Sequence, residues 1–175
     1  PSLLEPKYIQ LLIQTVVNRF KLSQNTEITI EANPGTVTAE KLAGFRQAGV
    51  NRLNFGAQSF SDFFLGFLSR IHTAKEAIDS FESARSAGFD NIGLDLIYGL
   101  PGQTKRMWQA DLDAAIDLRP EHLSCYMLTY EPGTRMERNL RNHLFQPLSE
   151  KSVGRLYEFT VQYLEDNGFY QYEIS

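Results

Sequence analysis

The sequence contains one cysteine, Cys125, no long apolar segment and no excess of positive charge. A single cysteine cannot form a disulfide within the chain, which fits a reducing compartment, so we expect a cytoplasmic location. No apolar run approaches the roughly 20 residues that a membrane span needs, and the sequence does not predict an integral membrane protein. The net charge of -4 gives no general attraction to polyanions, so nucleic acid is not an expected partner.

Several signatures of common enzyme classes are also absent. No G-x-G-x-x-G segment follows a predicted strand, which argues against a dinucleotide fold. No lysine ends a predicted strand, which argues against a Schiff-base aldolase or lyase. His122 and His143 have no partner at metal-ligand spacing, so we assign no metal ligand. The segment Pro1 to Leu4 lacks an initiator methionine, and we interpret the chain as a piece of a longer protein.

The most informative stretch is residues 91–104. Its first eight residues are apolar and short, which is typical of a strand buried on both faces. Asp95 interrupts this run, and a carboxylate in such a setting needs a partner because an unpaired buried charge is costly. A Gly-Leu-Pro-Gly turn and a helix with Trp108 on its apolar side follow. We predict that Trp108 and Cys125 are packing residues.

Helical and strand patterns alternate along the rest of the chain with short connections. Such alternation indicates parallel strands joined by right-handed crossovers. The predicted fold class is therefore α/β, a partial (βα) TIM-like barrel of parallel strands with outer helices. The predicted helices begin at Pro6, Thr38, Ser61, Thr73, Lys105 and Ser149, and the predicted strands are residues 27–31, 52–55, 91–98, 122–130 and 170–174.

Polar residues stand at or near the carboxyl ends of four predicted strands. These are Glu31, Gln58, Asp95 and Thr129, and ligands in α/β proteins bind at that edge of the sheet. Each residue alone could instead cap a helix or hydrogen-bond a loop, but together they indicate a ligand site. Arg70 could hold a carboxylate with a bidentate pair, or it could be a solvated arginine at a helix end.

Residues 31–36, 56–60 and 94–104 together resemble the coproporphyrinogen oxidase-like radical SAM family. Residues 70–73, 128–134 and 172–175 look closest to the haem chaperone branch of that family. The resemblance covers nearly the whole chain. It implies a partial radical SAM barrel over residues 1–134 and the start of a C-terminal region over residues 135–175.

The resemblance also implies cofactors. Glu31, Gln58, Arg70 and Asp95 fall on positions that contact S-adenosyl-L-methionine (SAM) in the family, and Thr129 falls on one whose contact is made by backbone. The family binds a [4Fe-4S] cluster through a C-x3-C-x2-C loop that this chain lacks. One cysteine cannot supply three thiolates, so the ligands are expected outside the chain. The family's haem-linked segment would lie beyond Ser175.

The family suggests two functions, and the segments at residues 70–73 and 129–132 favour the first. The first is a haem chaperone that binds haem or a porphyrin and delivers haem to apo-haemoproteins, including membrane-associated ones. The alternative is an oxygen-independent coproporphyrinogen III oxidase. We assign no catalytic residue in this chain, and we expect the isolated chain to be inactive.

Overall fold

A computed structural model describes residues 1–174 and shows one sheet of four parallel strands. The strands lie in chain order, and each pairs in parallel with the next. Parallel neighbours need a crossover connection, which helices supply in this sheet. The strands are β1 (Thr29–Ala32), β2 (Arg52–Gln58), β3 (Ile92–Tyr98) and β4 (His122–Met127).

Threonine side chains begin four of the helices in the described part of the chain. Thr38, Thr73, Thr104 and Thr134 each accept a hydrogen bond from the backbone N–H three residues later. Such caps contribute about 1 kcal/mol each. Thr73 and Glu76 form a capping box at the start of the helix that was predicted from Thr73. The helices are α1 (Pro6–Arg19), α2 (Ala39–Gln47), α3 (Asp62–Phe67), α4 (Ala74–Ser86), α5 (Lys105–Asp117), α6 (Arg135–Arg141) and α7 (Glu150–Asp166).

The two faces of the sheet differ in chemistry because successive side chains of a strand point to opposite faces. On the helix-covered face, Leu53, Phe55, Leu94 and Leu96 are fully buried. The opposite face, here named the polar face, carries the polar residues of the strands. The main helix residues that pack against the buried face are Leu42, Phe45, Phe81, Trp108, Leu112 and Leu156. One covered face and one polar face are what an open part of a barrel presents.

Helix α7 packs onto the same core as the earlier helices. The buried Trp108 on α5 donates its indole N–H to Thr160 Oγ1 on α7 at 2.7 Å. The predicted packing role of Trp108 is therefore confirmed. Leu156, one turn earlier on α7, also belongs to the core.

The structure differs from the sequence prediction at the C-terminal end. The predicted strand at residues 170–174 is wrong, because these residues form no backbone ladder with β4. Side chains make the local contacts instead: Tyr172 Oη lies 2.7 Å from His122 Nε2, and Gln171 donates to Tyr157 Oη at 3.0 Å. Residues 135–141, where the sequence gives little periodicity, form α6.

Across residues 1–174, none of the helices combines the length and the apolar character needed to cross a bilayer.

Candidate functional site

Three side chains meet above Gly56 at the carboxyl end of β2. A Cβ atom built at Gly56 would lie 2.7 Å from Gln58 Nε2, 3.3 Å from Arg70 Nη2 and 3.4 Å from Asn33 Oδ1. Glycine is therefore required there if these side chains are to meet. We name Asn33, Gly56, Gln58 and Arg70 the Gly56 cluster. It combines a cation and two carboxamides in one small space.

The backbone of β2 changes course at this cluster. Its pairing register with β3 shifts between Phe55 and Gln58, and Gln58 has a φ of 69°. Register shifts of this kind re-aim side chains at the ends of strands, often beside functional sites. A non-glycine residue at positive φ also costs energy that its surroundings must supply.

Two side chains from the turn before α4 hold this backbone in place. Arg70 Nη2 donates to the carbonyl of Gly56 at 3.2 Å and also to Asn33 Oδ1. His72 Nε2 lies 3.1 Å from the carbonyl of Ala57. Burial lowers the pKa of His72 and the pKa of Arg70. His72 is buried, with 3% exposure, and its ring contributes to holding the backbone at Ala57.

Asp111 on α5 anchors the loop that follows Gln58. Its carboxylate accepts hydrogen bonds from Ser59 Oγ at 2.9 Å and from the Phe60 backbone N–H at 2.7 Å. Burial raises the pKa of Asp111 to about 6, and the two hydrogen bonds oppose that rise. The loop is therefore fixed from the helix side while Gln58 points to the polar face.

A second polar group lies deeper on the same face. Glu31 on β1 pairs in register with Asn54 on β2, and Asn54 Nδ2 donates to Asp95 Oδ2 on β3 at 2.7 Å. Asn54 pairs in register with Gly93 of β3. Asn54 Oδ1 and Asp95 Oδ1 are both buried and meet no donor within residues 1–174. Unmet buried acceptors of this kind are expected where a ligand supplies the donor.

The predicted site residues are placed as follows. Glu31, Gln58 and Asp95 all belong to the polar face, and Arg70 joins Gln58 above Gly56. Asp95 lies in the middle of its strand rather than at its end. Thr129 is exposed two residues beyond β4, and in the described part of the chain no hydrogen bond joins its side chain to the other four.

Sequence reasoning missed Asn33 and Asn54. Asn33 follows β1 directly and accepts from Arg70, so its position after a strand was the available signal. Asn54 interrupts an apolar strand in the same way that Asp95 does, and that interruption could have identified it. Its pairing with Asp95 depends on strand register, which the sequence alone does not give.

The described residues do not assemble a metal centre by themselves. Among residues 1–174 there is no group of three or more histidine, cysteine, aspartate or glutamate side chains that could hold a metal ion. Burial raises the pKa of Cys125 to about 12, so its thiol stays protonated and is a poor metal ligand. The unpartnered Oδ1 atoms of Asn54 and Asp95 and the side chains that meet above Gly56 instead fit an organic ligand with several polar groups.

Two cavities lie away from the Gly56 cluster. One, of about 560 Å³, separates β4 from residues 168–173. The other, of about 610 Å³, lies near the amino ends of the strands and is lined by Glu27, Arg52 and His122. Neither cavity includes a residue of the Gly56 cluster, because the first borders the unpaired edge of β4 and the second lies at the amino ends of the strands.

The parallel strands and the outer helices define an open part of an α/β barrel. The model of the Radical SAM superfamily matches residues 2–115, and the chain belongs to that superfamily.

Among curated proteins, the chain is 38% identical over its whole length to the heme chaperone HemW of Bacillus subtilis. It is 40% identical, again over its whole length, to the heme chaperone HemW of Escherichia coli. The chain spans 46% and 45% of these two relatives, which is about half of their length.

Among solved structures, coproporphyrinogen III oxidase (HemN) from Escherichia coli, described as a radical SAM enzyme, matches with a TM-score of 0.79. The two are 26% identical, and the match covers 94% of this chain and 38% of that one. The predicted α/β fold of the radical SAM type is confirmed.

Proposed function

We propose that the polar face binds SAM and that the protein to which this chain belongs is a radical SAM haem chaperone. The observation that carries the SAM site is the convergence of Gln58, Arg70 and Asn33 above Gly56, beside Asp95 with its unmet acceptor. A ligand with a carboxylate, hydroxyls and amino groups matches these donors and acceptors.

Each proposed contact follows from the chemistry of the side chain. In the described residues only Nη2 of Arg70 has protein acceptors, which leaves Nε and Nη1 for the methionyl carboxylate. Gln58 offers a donor and an acceptor, while Glu31 and Asp95 accept from hydroxyl or amino groups. Thr129 would contribute through its backbone, which does not require its side chain to point inward.

The [4Fe-4S] cluster would be held by cysteines outside this chain. The protonated Cys125 lies on β4 and cannot replace a three-thiolate loop. When bound together, the cluster and SAM would supply one-electron chemistry. The residues of this chain would bind and orient SAM beside that cluster.

The haem chaperone function is supported by two relatives of that name, whose alignments cover the whole chain at 38% and 40% identity. By this proposal the whole protein is cytoplasmic, binds haem or a porphyrin and delivers haem to apo-haemoproteins, including membrane-associated ones. The haem site would lie beyond residue 175. We keep the division into a partial barrel over residues 1–134 and the start of a C-terminal region over residues 135–175.

A coproporphyrinogen III oxidase is the second candidate, favoured by the structural match to HemN. One experiment separates the two functions. The full-length protein is reconstituted with iron and sulfide under anaerobic conditions and given SAM, an electron donor and coproporphyrinogen III. The chaperone proposal expects no vinyl product, together with transfer of bound haem to an apo-haemoprotein. Formation of vinyl groups would overturn the chaperone proposal in favour of the oxidase function.

SAM binding is tested by itself with calorimetry on the same reconstituted protein. We expect saturable SAM binding by the full-length protein and at most weak binding by the isolated 175 residues, because the methionyl end would lack its cluster. An inability of the cluster-loaded protein to bind SAM would overturn the proposed site. Micromolar binding by the isolated chain would contradict the expected dependence on the cluster.

A further inference from the structure

Asn54 is a buried carboxamide with a single protein partner for its side chain within residues 1–174. Its Nδ2 donates to Asp95 Oδ2 at 2.7 Å, and the residue is only 7% exposed. Its Oδ1 meets no donor in that range. A buried polar atom without a partner makes the fold less stable than an apolar side chain of similar size would. The hydrogen bond to Asp95 gives Nδ2 a role in the fold, but stability does not explain the unmet Oδ1.

Gly93 provides the space in which the Asn54 side chain lies. A Cβ atom at Gly93 would come within 2.2 Å of Asn54 Oδ1 and 3.3 Å of Asn54 Cγ. Real structures do not tolerate such a distance, so any larger residue at position 93 would displace the carboxamide. Asn54, Gly93 and Asp95 thus form one unit across two neighbouring strands.

We infer that Asn54 is a positioning residue of the SAM site, which fixes the Asp95 carboxylate in one orientation through the hydrogen bond from Nδ2. This inference rests on the proposed function, because the orientation of Asp95 affects SAM only if SAM binds on the polar face. A carboxylate has about four lone-pair positions, and Asn54 occupies one of them. Because Asp95 Oδ1 has no partner in the described chain, it can accept a hydrogen bond from a hydroxyl or amino group of the ligand.

The first test replaces Asn54 with leucine, which has a similar volume and no donor. SAM affinity of the cluster-loaded, full-length protein is measured by calorimetry, and thermal unfolding is measured in parallel. We expect Asn54→Leu to weaken SAM binding by about 10- to 100-fold, the loss typical of one hydrogen bond to a charged group. The melting temperature should fall, because Asp95 Oδ2 loses its only donor within residues 1–174, so SAM affinity is measured at a temperature where the variant is fully folded.

Ser86→Ala is the control. Ser86 is exposed at the end of α4, a helix that packs on the helix-covered face of the sheet and not on the polar face. We expect its SAM affinity to equal that of the unmodified protein.

The second test uses pH to separate positioning from packing. In Asn54→Asp two carboxylates would face each other, and one shared proton would restore the hydrogen bond. SAM affinity relative to the unmodified protein should therefore be near normal at low pH and fall as the pH rises and that proton is lost. The charged or titratable groups around this pair are Glu31 on β1, Arg52 on β2 and His122 on β4. Each SAM affinity is divided by that of the unmodified protein at the same pH, so the titration of these three groups affects both values and does not change their ratio.

A third variant, Gly93→Ala, displaces the carboxamide without removing a polar group. If it folds, we expect it to weaken SAM binding as Asn54→Leu does; if it does not fold, Asn54→Leu and Asn54→Asp decide the matter. Normal SAM affinity in Asn54→Leu would overturn the positioning role while leaving the SAM site intact. Failure of the unmodified protein to bind SAM would instead overturn the proposed function.

Discussion

The Asp111 carboxylate on α5 accepts a hydrogen bond at 2.7 Å from the backbone N–H of Phe60, which lies two residues beyond β2. Ser59 Oγ donates to the same carboxylate. Helix α5, on the helix-covered face of the sheet, thereby fixes the loop that follows Gln58. The Asp111 side chain is almost fully buried, and this burial makes the stability of the fold depend on pH.

The first prediction concerns that pH dependence. The pKa of Asp111 in the folded state, about 6, lies above its ordinary value of 3.8. Its contribution to stability is therefore fully present below about pH 4 and is lost as the pH rises through about 6. Such a shift corresponds to on the order of 2 to 3 kcal/mol. Asp111→Asn keeps an acceptor for Phe60 and does not titrate, so its melting temperature relative to the unmodified protein should rise between about pH 4 and about pH 8.

Asp117→Asn provides the control for this prediction. Asp117 is an exposed carboxylate on the same helix, and the substitution should not change the melting temperature with pH in this way. A constant difference between Asp111→Asn and the unmodified protein across the pH range would contradict the role assigned to Asp111.

The second prediction concerns Gly56, above which the side chains of the Gly56 cluster meet. In Gly56→Ala the new methyl group would lie 2.7 Å from Gln58 Nε2 and would push Gln58 and Arg70 apart. We expect SAM affinity, measured by calorimetry on the cluster-loaded protein, to fall by at least about 10-fold, as for the loss of one charged hydrogen bond. Gly66→Ala is the control, because nothing lies within 4 Å of its added Cβ on α3. Equal SAM affinity in the two variants would argue against ligand binding above Gly56.

The third prediction concerns the guanidinium of Arg70. Arg70 Nη2 donates to Asn33 and to the Gly56 carbonyl, so a bidentate pair with a ligand carboxylate needs two further N–H groups, whereas a lysine has three in all and could offer only one. Arg70→Lys should therefore weaken SAM binding by about 10-fold or more although the positive charge is kept. Arg106→Lys, at an exposed position on α5, should bind SAM normally. Full affinity in Arg70→Lys would show that the guanidinium contacts no ligand.

The fourth prediction concerns the attachment of α7 to the core. Thr160→Val leaves the buried Trp108 indole N–H without its acceptor, which costs about 1 to 3 kcal/mol. The melting temperature should fall, and the tryptophan fluorescence should report the changed environment. Thr160→Ser keeps the hydroxyl and should lose much less stability. If both variants melt alike, the hydrogen bond does not hold α7 in place.

Much of the fold followed from local patterns in the sequence. The helical patterns that begin at Thr73, Lys105 and Ser149 and the buried run of β3 all predicted elements that the structure contains. The strand predicted at residues 170–174 failed because a strand needs a partner ladder, and these residues meet β4 only through side chains.

The candidate site was only partly predictable for a related reason. The strand ends and the Arg70 segment indicated Glu31, Gln58, Arg70 and Asp95 by their residue types and positions. Asn33 and Asn54 were missed because their importance lies in which atoms they meet, and those atoms are 37 and 41 residues away along the chain.

The amino-acid sequence by itself determined the alternation of parallel strands and helices and the kind of polar group that each strand presents. Hydrophobic period, capping residues and turn glycines act over a few neighbouring residues, so they can be recognised without coordinates. Only the tertiary structure decided that Asn54 holds Asp95 above Gly93 and that Gln58 and Arg70 share the space above Gly56. Strand register and the shift in β2 set those distances, and both arise from packing between segments that are far apart in the chain.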